Sequence, residues 1–223
     1  MSDGARPPKP RAGLRQRLFA WAQTQGDSPA YTALVDRYKR RLFAGLSGLV
    51  VELGAGTGAN FAFFSPGIQW VGIEPNVYMH EALRAAAHQH GFAADIRAYE
   101  GERLPFADAS VDAVVSTLVL CSVNDQAGVL AEILRVLKPG GSFAFMEHVA
   151  SPEGSRNRRL QNFVQPIWGF VGDGCHVNRD TAAAIRNAGF ARVEIETFAA
   201  PTKIASPHIA GAAWKEGINS NES

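Results

Sequence analysis

The densest group of residues able to do chemistry is Val50-Val-Glu-Leu-Gly-Ala-Gly-Thr-Gly58, an apolar run that breaks into alternating glycines. Gly54, Ala55, Gly56 and Gly58 make a loop where a ligand can approach the main chain closely, because most of its residues lack a Cβ. Glu74 stands twenty residues past Gly54, at the end of the next apolar run. A carboxylate there can accept both hydroxyls of a ribose. Gly54, Gly56 and Ala59 also satisfy the loose dinucleotide form G-x-G-x-x-A, so the glycines alone leave the cofactor open. Glu52 separates the alternatives. A carboxylate just before the glycines repels a pyrophosphate and attracts an ammonium or a sulfonium. That favours S-adenosylmethionine over a nicotinamide dinucleotide.

These residues need a frame. Leu49–Leu53, Gln69–Ile73, Ala94–Tyr99, Val111–Thr117 and Ser142–Glu147 read as short buried strands. Between them the pattern predicts a helical turn over Asn60–Phe64 and helices over Val77–His90 and Gln126–Leu137. Lys138-Pro-Gly-Gly141 is expected to stop the last of these. The alternation predicts an α/β fold, a Rossmann-like, mostly parallel sheet with helices on both faces. An irregular stretch, Ala150–Val177, precedes a helix over Arg179–Ala188. Two β-rich runs, Arg192–Phe198 and His208–Lys215, close the chain. They lack a long crossover, so they are expected to pair antiparallel. Ahead of the first strand, Leu14, Leu18 and Trp21, then Leu34, Val35, Tyr38 and Leu42, recur at helical spacing on either side of Pro29. The expected organisation is a flexible basic arm over 1–13, helices packed on the core over 14–46, the main domain over 47–217 and a tail over 218–223.

Together the motifs resemble class I S-adenosylmethionine-dependent methyltransferases. Val-Glu-Leu-Gly-Ala-Gly-Thr-Gly looks like their first motif and Gly72-Ile-Glu-Pro75 like their acidic ribose motif. Glu100-Gly-Glu-Arg-Leu-Pro-Phe106 resembles their adenine-side motif, Ser110-Val-Asp-Ala-Val-Val-Ser116 their fourth strand, and Leu134-Arg-Val-Leu-Lys-Pro-Gly-Gly141 the turn before their fifth. The resemblance implies seven strands with the last antiparallel. It also implies a cofactor site in which Glu52 lies near the ammonium and Glu74 with Pro75 holds the ribose. Glu100 or Gly101 would meet the adenine edge, and Leu118 would line the pocket. A narrower resemblance follows. Thr117-Leu-Val-Leu-Cys-Ser-Val123, Phe145-Met-Glu-His-Val149, Asp173-Gly-Cys175, Asn178-Arg179 and Pro207-His208-Ile209 look like the methyltransferase-like 7 family. Animal members are membrane-associated and methylate alkyl thiols, so a small apolar thiol is the acceptor that this resemblance implies. They begin with a hydrophobic anchoring segment, whereas this chain begins Ser2-Asp-Gly-Ala-Arg-Pro-Pro-Lys-Pro-Arg11.

A thiol has a pKa near 8.5 and is a few per cent thiolate at neutral pH, so a base helps without being essential. Candidates are His148 at a strand end, and Asp173 and His176 in Gly172-Asp-Gly-Cys-His-Val177, with His208 beyond them. Arg156, Arg158 and Arg159 precede Leu160, Phe163, Ile167, Trp168 and Phe170. A basic start and an apolar face suit a lid over the substrate, a membrane-surface element, or a helix packed on the core. Cys121 and Cys175 are read as small buried residues.

Composition narrows the remaining classes. Among 223 residues, 46% are hydrophobic and 19% charged, which excludes a disordered chain. Lys plus Arg (22) balances Asp plus Glu (21), so no nucleic-acid partner is expected. Two cysteines and no H-x-x-x-H pair give neither a disulfide scaffold nor a metal cluster. The longest uncharged apolar run, Ala113–Val123, is far short of the ~20 residues of a membrane span. A cytoplasmic setting is expected, with peripheral membrane contact left open. Rival readings are methylation at carbon or oxygen of a quinone-like or lipid molecule, a binding module, and a dinucleotide oxidoreductase. Glu52 and the lack of a Tyr-x-x-x-Lys pair oppose the last.

Overall fold

The computed structural model describes residues 12–23 and 28–217. Most of the expected basic arm and the whole 218–223 tail lie outside the described residues. Seven strands form one sheet: β1 (Leu49–Leu53), β2 (Gln69–Ile73), β3 (Asp95–Arg97), β4 (Val111–Thr117), β5 (Leu137–His148), β6 (Arg192–Ala199) and β7 (Pro207–Trp214). Their order is β3-β2-β1-β4-β5-β7-β6. β1 to β5 pair in parallel. β7 runs antiparallel to both β5 and β6.

Alternation along the strands divides the core. Val50, Trp70, Ala113, Val115 and Ala144 face α2 (Pro29–Phe43) and α3 (His80–Gln89), meeting Phe43, Leu83 and Ala87. Val51, Leu53, Ile73, Val114, Phe143 and Phe145 face the other way, onto α4 (Gln126–Val136) and α6 (Thr181–Arg186). Period-two side-chain direction thus sends each strand's even and odd residues to different helices. Glu52 falls on the first of these faces, beside Trp70. Register sets Leu53 beside Ile73 on one side and Ser116 on the other. The carboxyl ends of β1, β2 and β4 are therefore level, the place where such sheets bind ligands.

α2 begins with Ser28 accepting from Tyr31 N and with Pro29 in its first turn. Tyr31, Val35 and Tyr38 form its buried stripe and pack on Met146 and Ala210. α1 (Leu14–Gln23) buries Ala20 but exposes Leu14, Leu18 and Trp21.

Several boundaries differ from the expected ones. The helix expected over Val77–His90 is a 3-10 turn, Val77–Met79, followed by α3; Asn76 caps the turn by accepting from Tyr78 N. The third strand shrinks to Asp95–Arg97. Lys138–Gly141 does not precede the fifth strand but belongs to it. Leu137 is already extended (ψ 135°), and the pairing with β4 shifts register between Val111 and Ala113. α6 is shorter than expected because Asp180 caps it through Ala183 N. The stretch expected to be irregular contains the 16-residue helix α5 (Arg156–Val171). Gln161 is its buried anchor, taking Ser151 N and donating to the Ile204 carbonyl. Packing on the core is not what its apolar face does: Phe163 is 83% exposed and Ile167 73%.

β7 sits between two strands with little room. A Cβ at Gly211 would lie 1.9 Å from the Glu194 carbonyl oxygen and 3.0 Å from the Phe145 ring. Backbone atoms cannot yield cheaply, so Gly211→Ala should lower unfolding free energy by about 3 kcal/mol. Urea midpoints for both proteins test this; equal midpoints would mean the strands part at no cost.

Candidate active site

A cavity of about 260 Å³ opens at the level strand ends. The loop after β1 forms its floor, with Gly54 and Gly56 at φ +55° and +57°. At Gly56 a Cβ would meet nothing closer than 3.8 Å, so the space beside this main chain is open to a ligand. Gly58 does not line the cavity, which corrects its expected place in the cofactor site. A Cβ there would lie 2.7 Å from Ala86 and 2.9 Å from Phe61, so Gly58 lets α3 pack close to the loop.

Glu74 is 5% exposed at the end of β2. Its carboxylate accepts from Gly56 N at 2.9 Å and from Asn76 N at 2.8 Å, so it holds the glycine loop while facing the cavity. Burial pushes its pKa up, and the two backbone donors oppose that. Pro75 follows it in the wall, and Tyr99, Glu100 and Gly101 line the adjoining side.

Glu52 acts differently from expectation. It also lines the cavity, but its two oxygens accept from Asn60 Nδ2 at 2.7 Å and Trp70 Nε1 at 2.8 Å. Asn60 Nδ2 donates to Thr117 Oγ1 as well, which leaves Asn60 Oδ1 buried with no partner in the cavity wall. An orphaned acceptor costs free energy unless a ligand donor reaches it. Asn60 was missed in the sequence because it sits past the glycines as an ordinary helix-start residue. Burial raises the Glu52 pKa to about 7 against the pull of Trp70 and Asn60.

Leu118 lines the cavity in a left-handed conformation, φ +59°, unusual for a branched side chain. Glu147, fully buried on β5, fixes this turn by accepting from Ser116 Oγ and Val119 N. Nothing in a strand-end glutamate marks that role in sequence.

The remaining wall comes from Phe19 and Gln23 of α1, Tyr31, Val35 and Lys39 of α2, and Met146, Gly172 and Asp173. α1 rather than α5 therefore roofs the cavity, which corrects the lid expected over Arg156–Val171. α1 is tied down through its first turn. Arg15 and Gln16 both donate to Asp173 Oδ1, and Asn76 Nδ2 donates to the Gln16 carbonyl.

The three base candidates are not brought together. Asp173 is in the wall, engaged with α1. His176 Nδ1 lies 3.3 Å from the Cys121 carbonyl, outside the wall. His148 Nε2 lies 2.9 Å from Cys175 Sγ, behind the wall. Among the described residues no histidine lines the cavity. His208 instead contacts the Tyr31 hydroxyl through Nε2 at 3.2 Å. Burial lowers its pKa to about 4, so the ring is neutral. One expectation from spacing fails here: Cys121, His148 and Cys175, far apart in sequence, place ligand atoms within 4.8 Å of one another.

The residues fit S-adenosylmethionine. Glu74 offers acceptors for hydroxyls, Gly56 leaves room at the main chain, and Asn60 Oδ1 awaits an N–H donor. A methyltransferase domain model matches residues 51–145. Relatives include rat thiol S-methyltransferase TMT1B (Rattus norvegicus), 41% identical over 190 residues, covering 79% of this chain and 78% of that protein. Human thiol S-methyltransferase TMT1A (Homo sapiens) is 41% identical over 180 residues, covering 78% and 74%. Among solved structures, that of the [4+2]-cyclase SpnF superposes with a TM-score of 0.71 at 18% identity, over 95% of this chain and all of that one. At that identity the likeness concerns the fold.

Two outcomes test the site. Glu74→Gln should weaken S-adenosylmethionine binding about 10–100-fold by calorimetry, since charged hydrogen bonds are worth ~1.5–3 kcal/mol. Unchanged affinity would remove Glu74 from the site. The second concerns pH. Glu52 binds its proton more tightly folded (about 7) than unfolded (4.5). Its contribution is therefore intact below pH 4.5 and lost as pH rises through 7. From pH 4 to pH 8 the wild type should lose up to about 3 kcal/mol more stability than Glu52→Gln. Parallel pH slopes in urea unfolding would contradict an uncharged, buried Glu52.

Proposed function

We propose that the acceptor is a small apolar thiol, from the premise that the chain belongs to the S-adenosylmethionine-dependent methyltransferase family that includes the thiol S-methyltransferases TMT1A and TMT1B. One observation carries this reading. The likeness to those relatives runs over 180–190 residues, well beyond the 51–145 domain match, and so takes in acceptor-side segments as well as the cofactor motifs.

When bound, S-adenosylmethionine supplies a methyl group on a sulfonium, a strong electrophile. The chain's own work is placement. Glu74 and the Gly56 main chain hold one end of the cofactor, and Asn60, set by Glu52, takes the ammonium. The acceptor sulfur enters the apolar end between Phe19, Tyr31, Val35, Leu118 and Met146. In-line placement at about 3–3.5 Å supplies most of the acceleration. α1 closes over this end and excludes water. The absence of a histidine from the described wall suits an acceptor that reaches the site already ionised.

Peripheral contact with an anionic bilayer belongs to the same proposal. No helix among the described residues is long and apolar enough to cross a membrane. α1 exposes Leu14, Leu18 and Trp21, and α5 exposes Phe163, Ile167 and Phe170. Asp173, just past α5, joins the two helices through Arg15 and Gln16. Arg156, Arg158 and Arg159 at the start of α5 complement anionic headgroups. Apolar thiols would reach the α1 roof from the lipid side.

S-adenosylhomocysteine release should be seen with alkyl thiols and not with the matching alcohols, and kcat/KM should rise with pH toward each thiol's own pKa. Turnover of a quinol alone would overturn the thiol reading and leave the cofactor site standing. Phe19→Ala should raise KM for a long alkyl thiol about tenfold, the equivalent of ~1.5 kcal/mol of apolar contact, with little change in cofactor affinity. In flotation assays the protein should follow phosphatidylserine-containing vesicles. Trp21→Ser/Phe163→Ser/Ile167→Ser should stay in solution; equal flotation of both proteins would rule out this face.

A further inference from the structure

Cys121, Cys175 and His148 lie outside the cavity wall and cluster directly behind it. Cys121 is 1% exposed and Cys175 8%. Three groups converge on one sulfur. His148 Nε2 is 2.9 Å from Cys175 Sγ, Trp168 Nε1 is 3.3 Å from it, and Cys121 Sγ is 3.7 Å away. Two ring nitrogens aimed at a single sulfur can solvate an anion, and the Cys121 sulfur stands beside it. A cysteine that merely fills space would need none of them. The Cys121 thiol, and after it His148, hold Cys175 well below the ordinary thiol range despite burial. Cys121 is held above that range. Burial alone would depress the His148 ring, but the Cys175 sulfur reverses this and favours the imidazolium.

We propose that Cys175 is a peroxide-reactive thiolate and Cys121 its resolving partner, so that the pair is a reversible oxidative modification site. The co-reactant is hydrogen peroxide, small enough for a buried pair. The Cys175 sulfur attacks one peroxide oxygen and the O–O bond breaks. The hydroxide leaving group takes the His148 proton as water, and Cys175 becomes a sulfenic acid. Cys121 then attacks the Cys175 sulfur, the S–O bond breaks, and its proton leaves with the hydroxyl as a second water. The two sulfurs have lost two electrons and share a disulfide; the peroxide has gained them.

The position couples this bridge to the cavity. Ser122 and Val123 follow Cys121, and Gly172 and Asp173 precede Cys175; all four line the wall. Closing the sulfurs from 3.7 Å to a bonded ~2.05 Å ties the two wall segments covalently to each other. Were ~1 Å of that closure to pass to the wall, a placed reaction would slow on the order of 100-fold. On the thiol reading above, two acceptor thiols can reopen the bridge, leaving as their own disulfide and returning both cysteines. The acceptor would then restore the site that methylates it.

Intact mass and non-reducing peptide maps of the reduced protein, treated with about one equivalent of peroxide and no methyl donor, test the proposal. The expected result is a loss of about 2 Da located to a Cys121–Cys175 peptide pair and reversed by dithiothreitol. In Cys121→Ser the bridge cannot form, and Cys175 should instead gain about 16 Da as a sulfenic acid, and about 32 Da as a sulfinic acid once a second equivalent of peroxide is added. His148→Gln should slow cross-linking about tenfold or more at pH 7. Two free thiols remaining in the treated wild type would overturn the proposal. So would stoichiometric zinc in the isolated protein that disappears in Cys121→Ser, because the sulfurs would then be metal ligands. Neither readout uses an acceptor, so failure here is distinguishable from failure of the thiol reading. With an active acceptor in hand, turnover should fall at least about tenfold on oxidation and return on reduction.

Discussion

Three carboxylates are buried at the carboxyl edge of the sheet: Glu52 ends β1, Glu74 follows β2 and Glu147 nears the end of β5, none more than 5% exposed. Burying a carboxylate is costly unless donors satisfy it. Here four of the donors come from the cavity loops, and Trp70 and Ser116 donate from β2 and β4. Glu74 collects Gly56 N and Asn76 N, Glu52 collects Asn60 and Trp70, and Glu147 collects Ser116 and Val119 N. The strands carry the acids and the acids carry the loops. The shape of the cofactor floor is in this way tied to the hydrogen bonding of three buried carboxyl groups.

The other half of the cavity is held by a weaker kind of contact. α1 buries little apolar surface and is attached mainly through Asp173 and Asn76. Arg15 in the Asp173 pair is 40% exposed, so that pair is worth little by itself. A roof attached by a few polar contacts opens at small cost, as an acceptor that enters from outside requires. Rigid floor and loosely held roof suit a reaction in which the cofactor must be placed accurately and the acceptor must come and go.

The sequence made one side of this plain. Gly54, Gly56 and Glu74 sit where a strand end, a turn and a ribose acceptor dictate residue type, so spacing pointed to them, and the family resemblance added Pro75. Five parallel strands were legible from apolar runs broken by glycine and proline. The misses have physical causes. Gly58 looks like its neighbours in a motif but is required by Ala86 and Phe61, contacts that exist only after α3 has packed. Asn60 and Glu147 act through partners 57 and 31 residues away, which periodicity cannot reveal. The apolar run in α5 has the period of a buried helix yet faces outward, because Gln161 and not the apolar stripe anchors it.

The same division explains why the cofactor could be read so much more securely than the acceptor. The domain match ends at residue 145, and the floor of the cavity lies within it. Phe19, Gln23, Tyr31, Val35, Met146 and Asp173 lie outside it, on helices before the sheet and in segments after it. A structure as similar as that of a [4+2]-cyclase shares the sheet at 18% identity, so the sheet cannot choose the acceptor. On the proposed reading, that choice falls to α1, α2 and the Gly172–Asp173 turn, which line the rest of the cavity. The Gly172–Asp173 turn adjoins the Cys121–Cys175–His148 cluster and holds α1 through Asp173, whereas α2 packs on β5 and β7 through Tyr31, Val35 and Tyr38.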